Sequence, residues 1–254
     1  MSPSLKNKTA IVTGAGQGIG LEICRKLALA GCNVLLNDID EVLCINAATG
    51  IDPQLQFCIA LPGDSSDVKF IQQMVDRAVQ KYGQLDIIIA NAGITLFGDF
   101  FTYTEESFYR VMQVNLAGTF FLAQAAANQM KKQQTGGSLL FMSSVTGHQA
   151  HRNLAAYGMT KAAIEMLAKN LVSEVSEFGI NVNTIAPGAT LTERTLEDPD
   201  YIKTWSRITP MGHPAAVSDI ANAALFLVSN EARHITGQSL IIDGGWTAMS
   251  PSPY

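Results

Sequence analysis

Tyr157 and Lys161 stand four residues apart in the run Tyr157-Gly158-Met159-Thr160-Lys161, and Ser144 precedes Tyr157 by 13 residues. If 157–161 is helical, that spacing brings the phenol and the ammonium out on one face. An ammonium beside a phenol favours the phenolate, so a group that ordinarily titrates at about pH 10 becomes useful for acid–base work nearer neutrality. A hydroxyl such as Ser144 can polarise a substrate oxygen beside it. The chemistry on offer is proton transfer at an alcohol or a carbonyl. Each residue also has a plainer reading: Tyr157 and Lys161 as a surface pair with extended stems, Ser144 as a strand-end cap.

A glycine-rich turn upstream suggests what the proton transfer is coupled to. Strand-like Thr9–Thr13 runs into Gly14-Ala15-Gly16-Gln17-Gly18-Ile19-Gly20 and then into the helical pattern Leu21–Ala30. Glycine lets a pyrophosphate approach the backbone N–H groups at a helix N-terminus, where the helix dipole favours an anion. Ile19 occupies the third-glycine position of G-x-G-x-x-G, so the spacing reads as T-G-x-x-x-G-x-G on Thr13, Gly14, Gly18 and Gly20. A turn of this composition alone is also compatible with a purely structural role. A second strand, Asn33–Asn37, leads to Asp38, 20 residues beyond Gly18. A carboxylate there accepts hydrogen bonds from adenosine ribose hydroxyls and repels a 2′-phosphate. No Lys or Arg follows Asp38, and Gln17 rather than a basic residue precedes Gly18. Both features favour NAD over NADP.

The elements that must position these residues alternate along the chain. Strands are expected at Thr9–Thr13, Asn33–Asn37, Leu55–Ala60, Leu85–Ala90, Ser138–Ser143, Asn181–Ala186 and Ser239–Ile242. Several are continuous apolar runs, as in strands covered by helices on both faces. Right-handed crossovers then give an α/β fold, a Rossmann-like doubly wound parallel sheet of about seven strands. Helical Glu105–Gln134 carries Phe108, Val111, Met112, Leu116, Phe120, Phe121 and Leu122 on several sides, and the stretch after Tyr157 is similarly apolar. The sheet or another subunit supplies their cover.

Length admits one or two domains; without an internal composition break, the reading is one domain over 1–254, with a substrate lid at about 189–213. Hydrophobic residues form 47% and charged residues 15% of the chain, enough for a large core. The net charge of −5 and the absence of a basic run argue against a nucleic-acid partner. Residues 1–8 lack the apolar stretch of a signal peptide, and no run reaches membrane-spanning length, so a soluble cytoplasmic protein is expected. Cys24, Cys32, Cys44 and Cys58 form no C-x-x-C pair, which points to reduced packing thiols and no metal.

Over nearly its whole length the chain resembles the short-chain dehydrogenase/reductase family. Thr13-Gly14-x-x-x-Gly18-Ile19-Gly20 looks like the cofactor motif, Asn91-Ala92-Gly93 like the fourth-strand motif, and Ile242-Asp243-Gly244-Gly245 like the C-terminal signature. Asn115, Ser144, Tyr157 and Lys161 fall where the family places its catalytic tetrad. Pro187-Gly188, Thr190 and Thr192 resemble the segment that contacts the nicotinamide, and Asp64 the acid that contacts adenine.

The resemblance implies reversible hydride transfer between an alcohol and nicotinamide C4, with NAD as cofactor. Tyr157 would exchange the hydroxyl proton, Ser144 would bond the substrate oxygen, and Lys161 would stabilise the phenolate and bind the nicotinamide ribose. Asn115 would kink its helix and hold a water relaying protons from Lys161. It also implies pairing through Glu105–Gln134 and Tyr157–Phe178, usually into a homotetramer; the tail with Trp246 and Tyr254 either reaches a neighbour or frays.

For the substrate, His148, Gln149, His151, Asn153, Leu154, Ala189, Thr190, Glu193 and Trp205 are the expected walls, or else, for a lone histidine, ordinary loop residues. A sugar, polyol or other small secondary alcohol is the expected substrate. A 3-oxoacyl-thioester reductase is the alternative, and a non-catalytic dinucleotide-binding protein a further one.

Overall fold

The computed structural model describes residues 5–249; Tyr254 lies outside them. Its centre is a seven-stranded, all-parallel sheet in the order β3-β2-β1-β4-β5-β6-β9. The strands are β1 (Thr9–Val12), β2 (Asn33–Asp38), β3 (Cys58–Pro62), β4 (Ile87–Ala90), β5 (Gly137–Met142), β6 (Ile180–Pro187) and β9 (Ser239–Ile242). A short parallel pair, β7 (Thr190–Leu191) and β8 (Ala215–Ala216), stands apart. The helices are α1 (Gly18–Leu29), α2 (Glu41–Ile51), α3 (Val68–Tyr82), α4 (Glu105–Val111), α5 (Gly118–Gln133), α6 (Ala155–Val175), α7 (Tyr201–Ile208) and α8 (Val217–Leu227).

Alternation along the strands divides the core between the two faces. In β1, Ala10 and Val12 pack with Ile23, Leu27 and Leu225 of α1 and α8, while Ile11 packs with Met74, Leu122 and Ile164 of α3, α5 and α6. Every residue of β1, β4 and β6 is buried, which explains the unbroken apolar run of β4, Ile87-Ile88-Ile89-Ala90. All four cysteines are buried and free. Burial pushes the Cys44 thiol up to about 11 and that of Cys58 to about 12, so they behave as small apolar packing groups.

Two elements differ from the sequence expectation. The third strand begins at Cys58 rather than Leu55, because the buried Asp52 carboxylate gathers the amides of Gln54, Gln56, Phe57 and Cys58 into a turn in which Leu55 takes φ 50°. The stretch Glu105–Gln134 is also not one α-helix. Between α4 and α5, Met112–Ala117 forms a π-helical turn, and Asn115 sits in it fully buried. The sheet and α3 cover one side of α5, through Leu122, Ala126 and Met130, while Tyr109, Phe120 and Met166 remain exposed. No helix among the described residues is long and apolar enough to cross a membrane.

The strand order reverses between β1 and β4. In open α/β sheets, ligands bind in the crevice outside the carboxyl ends of the strands at this switch point. There β1 leads into the glycine turn, and β4 into Asn91-Ala92-Gly93.

Candidate active site

The turn after β1 is held by its neighbour strand. Thr13 Oγ1 accepts from the amides of Asn91 and Ala92, and the Asn91 side-chain amide donates to the carbonyls of Thr13 and Gly14. Gly14 takes φ 59°, and a Cβ there would stand 2.7 Å from Ala92 Cα. A side chain is excluded on both conformational and steric grounds. At the start of α1, Gln17 forms no side-chain cap, and Gly18, Ile19 and Gly20 line a cavity of about 310 Å³. Uncapped first-turn amides beside a cavity suit an anion such as pyrophosphate.

Gly14, Gln17, Asp38, Asp64, Asn91, Ala92, Gly93 and Thr192 line the same cavity. Asp38 is oriented by the Gly16 amide on one carboxylate oxygen (2.9 Å) and by the Asp40 amide on the other (3.1 Å). Asp64 accepts the hydroxyl and amide of Ser66 and stands 3.8 Å from the Arg110 guanidinium. Burial opposes ionisation of Asp64, but these partners outweigh it and hold the carboxyl below its usual range. This cavity, with its glycine floor, helix N-terminus and oriented carboxylate, fits a dinucleotide.

A second cavity of about 230 Å³ adjoins the first; Ile19, Asn91, Gly93, Thr192 and Arg194 belong to both walls. Ser144, Tyr157 and Lys161 line it, together with Pro187, Gly188 and Thr190. Ser144 follows β5 and opens a 3₁₀ turn, Val145–Gly147, accepting the Thr146 amide. Tyr157 and Lys161 lie at the start of α6. The Lys161 side chain is buried, with its ammonium donating to the last carbonyl of β5, Met142 O, at 2.7 Å. The same ammonium is 5.4 Å from the centre of the Tyr157 ring.

Asn115 lines neither cavity. From the π turn its side chain accepts the Ile94 amide (2.8 Å) and donates to Ile94 O (3.0 Å) and Thr160 Oγ1 (3.2 Å). Those bonds explain how an asparagine is accommodated inside a long helix. A Cβ on Gly93 would lie 3.4 Å from both Asn115 Oδ1 and Lys161 Nζ, so both side chains come close to the fourth-strand motif.

The expected substrate walls are largely elsewhere. His148 turns toward α6 and β9, where Nε2 lies 2.8 Å from Glu165 and 3.4 Å from Ser239 Oγ. His151 is exposed beside the Arg152 carbonyl, Leu154 is buried beneath the start of α6, and Trp205 packs against Tyr201 and Trp246. None of these four lines the catalytic cavity, and neither do Gln149, Asn153 and Ala189. Glu193 lines the dinucleotide cavity instead, its carboxylate 3.6 Å from where a Gly18 Cβ would be.

Of the expected walls Thr190 does line the cavity, beside Thr95, Thr195, Arg194 and Tyr201, which the sequence did not single out. Tyr201 accepts the Thr190 amide at 3.2 Å. Burial pushes its phenol above the ordinary value despite that bond, so it keeps a proton to donate. The available signal was its place on the helix that carries Trp205, one turn earlier.

A parallel sheet with a dinucleotide-shaped cleft at its switch point and a hydroxyl–phenol–ammonium cluster beside it defines a class of dinucleotide-dependent oxidoreductases. Residues 14–247 match the model of a family described as enoyl-(acyl carrier protein) reductase. A diacetyl reductase [(S)-acetoin forming] of Staphylococcus epidermidis is 34% identical, over 94% of this chain and 98% of that one. An L-rhamnose 1-dehydrogenase (NAD(P)(+)) of a Sphingomonas species is also 34% identical, over 95% and 96% of the two chains. The solved structure of a 7 alpha-hydroxysteroid dehydrogenase complexed with NADH and 7-oxo glycochenodeoxycholic acid superposes with a TM-score of 0.89, at 34% identity and 95% coverage of each chain. The chain belongs to the short-chain dehydrogenase/reductase family, and it is an oxidoreductase acting on CH–OH groups.

Proposed function

We propose that this enzyme is an NAD-dependent dehydrogenase of a small polar secondary alcohol, with Ser144, Tyr157, Lys161 and Asn115 as its catalytic group. The observation that carries the reading is the shared wall between the glycine-turn cavity and the cavity lined by Ser144, Tyr157 and Lys161. A bound nicotinamide dinucleotide supplies the acceptor for the hydride leaving the carbinol carbon.

Tyr157, as phenolate, takes the hydroxyl proton of the substrate. Ser144 donates a hydrogen bond to the same oxygen, and this bond strengthens as alkoxide character develops. Lys161 stabilises the phenolate, with its ammonium fixed by Met142 O. Asn115 braces the second turn of α6 through Thr160, and its π turn serves the proton route away from Lys161.

Asp38 holds the adenosine ribose and disfavours a 2′-phosphate. The small, hydroxyl-bearing wall of Thr95, Thr190, Thr195 and Tyr201 supports a sugar, polyol or hydroxyketone over a steroid or long acyl chain. The names of the diacetyl and rhamnose enzymes support the same choice.

We assign 1–254 to one unit with a lid at about 189–213, supported by the β7–β8 pair bracketing α7. The exposed Tyr109, Phe120 and Met166 support association through α4, α5 and α6 into a homotetramer. Four free thiols suit the cytoplasm.

The test is NADH formation across a panel of sugars, polyols and hydroxyketones, with NADP⁺ in parallel. NAD⁺-dependent oxidation of at least one member is expected. Silence on that panel, with NADPH-dependent reduction of a 3-oxoacyl or enoyl thioester, would overturn both the substrate and the cofactor assignment.

A further inference from the structure

We propose that Glu165 is a positioning residue for the catalytic cavity: its largely covered carboxylate fixes the segment that carries Ser144 and ties it to the turn of α6 that carries Lys161. The proposal rests on the catalytic reading of Ser144 and Lys161 above. Glu165 is one helical turn beyond Lys161 and its side chain is 11% exposed. Ser143, 2% exposed, donates its hydroxyl to Glu165 Oε1 at 2.6 Å, and its oxygen lies 3.1 Å from the Lys161 carbonyl. The single hydroxyl proton goes to the carboxylate, the stronger acceptor. The same Oε1 is 2.8 Å from His148 Nε2, whose N–H donates to it.

One oxygen thereby grips the residue before Ser144 and the residue that ends the 3₁₀ turn after it. Gly147 makes room for this grip, since a Cβ there would stand 3.2 Å from Oε1 and 3.1 Å from the Ala162 amide. Neither Glu165 nor His148 lines either cavity, so both act through Ser143, Ser144 and the α6 backbone. Burying a carboxylate is unfavourable unless its bonds are completed, and these bonds fix the two segments that flank the reacting oxygen. A catalytic hydroxyl displaced by about 1 Å loses about a hundredfold in rate.

The test measures kcat, KM, NADH affinity and melting temperature for the wild type and for E165A, E165Q, S144A and the S144A/E165A double variant. E165A is expected to lower kcat about tenfold to a hundredfold while NADH affinity stays within about twofold. E165Q keeps an acceptor oxygen for Ser143 and His148 and recovers most of the loss. With Ser144 already removed, adding E165A changes little, because the hydroxyl it orients is gone. Equal losses in both backgrounds, an unchanged kcat in E165A, or a loss that follows NADH affinity would each overturn the proposal. Should E165A fail to fold, H148A against H148Q tests the same non-additivity with S144A. Wild-type turnover by S144A would instead sink the catalytic reading itself, a separate result from any failure of Glu165.

Discussion

The Lys161 ammonium lies 5.4 Å from the centre of the Tyr157 ring and is anchored on the Met142 carbonyl at 2.7 Å. The cation is buried, and a buried cation held by a backbone oxygen has little freedom to drift. The i, i+4 spacing on α6 brings the two groups together, and the end of β5 fixes the distance. That anchor also ties α6 to the strand that delivers Ser144.

Asp38→Ala should weaken NADH binding by about 1.5–3 kcal/mol, the range for hydrogen bonds to a charged group. NADPH should be affected far less, since Asp38 repels its 2′-phosphate. Parallel titrations of both cofactors decide this. Equal losses would mean that the carboxylate only braces the Gly16 amide, to which it is bonded at 2.9 Å.

Gly20→Ala tests the packing behind the pyrophosphate turn. A Cβ there would stand 2.5 Å from Gly14 O and 2.6 Å from Asn91 Nδ2, and these two atoms bond each other. Displacing them should cost about 1–3 kcal/mol of stability and weaken dinucleotide binding with it. A variant with native melting temperature and native NADH affinity would contradict this geometry.

Asp52 sets an acid limit on stability. Burial opposes its ionisation, but the amides of Phe57, Cys58, Gln54 and Gln56 outweigh that and hold its carboxyl below the usual range. With the folded value lowered, its contribution is complete above the unfolded value of about 3.9 and is lost as pH falls through the folded one. Asp52→Ala should therefore cost about 2–3 kcal/mol near neutrality, with the gap to wild type closing below about pH 4. Melting temperatures of the two proteins across that range provide the check; a gap independent of pH would rule out the charge as its source.

The sheet was legible in the sequence because strands buried on both faces are written as unbroken apolar runs, as in Ile87-Ile88-Ile89-Ala90. The dinucleotide cradle was legible because glycine at Gly14 and Gly18 meets a demand on the backbone itself, both having positive φ. The start of β3 was not, since Leu55 and Phe57 read as strand residues until the side-chain grip of Asp52 on the amides just ahead of it is known. The π turn was also hidden: residues 105–134 keep a helical pattern, and only the contacts of Asn115 with Ile94 show why the helix widens. The substrate wall was the least legible part. His148 looks like a pocket residue by its distance from Ser144, yet its partner Glu165 lies on the far side of the turn, on α6.

In the proposed mechanism Tyr157 moves the proton while other residues hold the cofactor. Its most direct test is Tyr157→Phe, measuring turnover and NADH affinity on the same preparation. A loss of turnover of about a hundredfold or more is expected, with NADH affinity nearly unchanged. Turnover retained in the variant, or lost only in proportion to NADH binding, would contradict it.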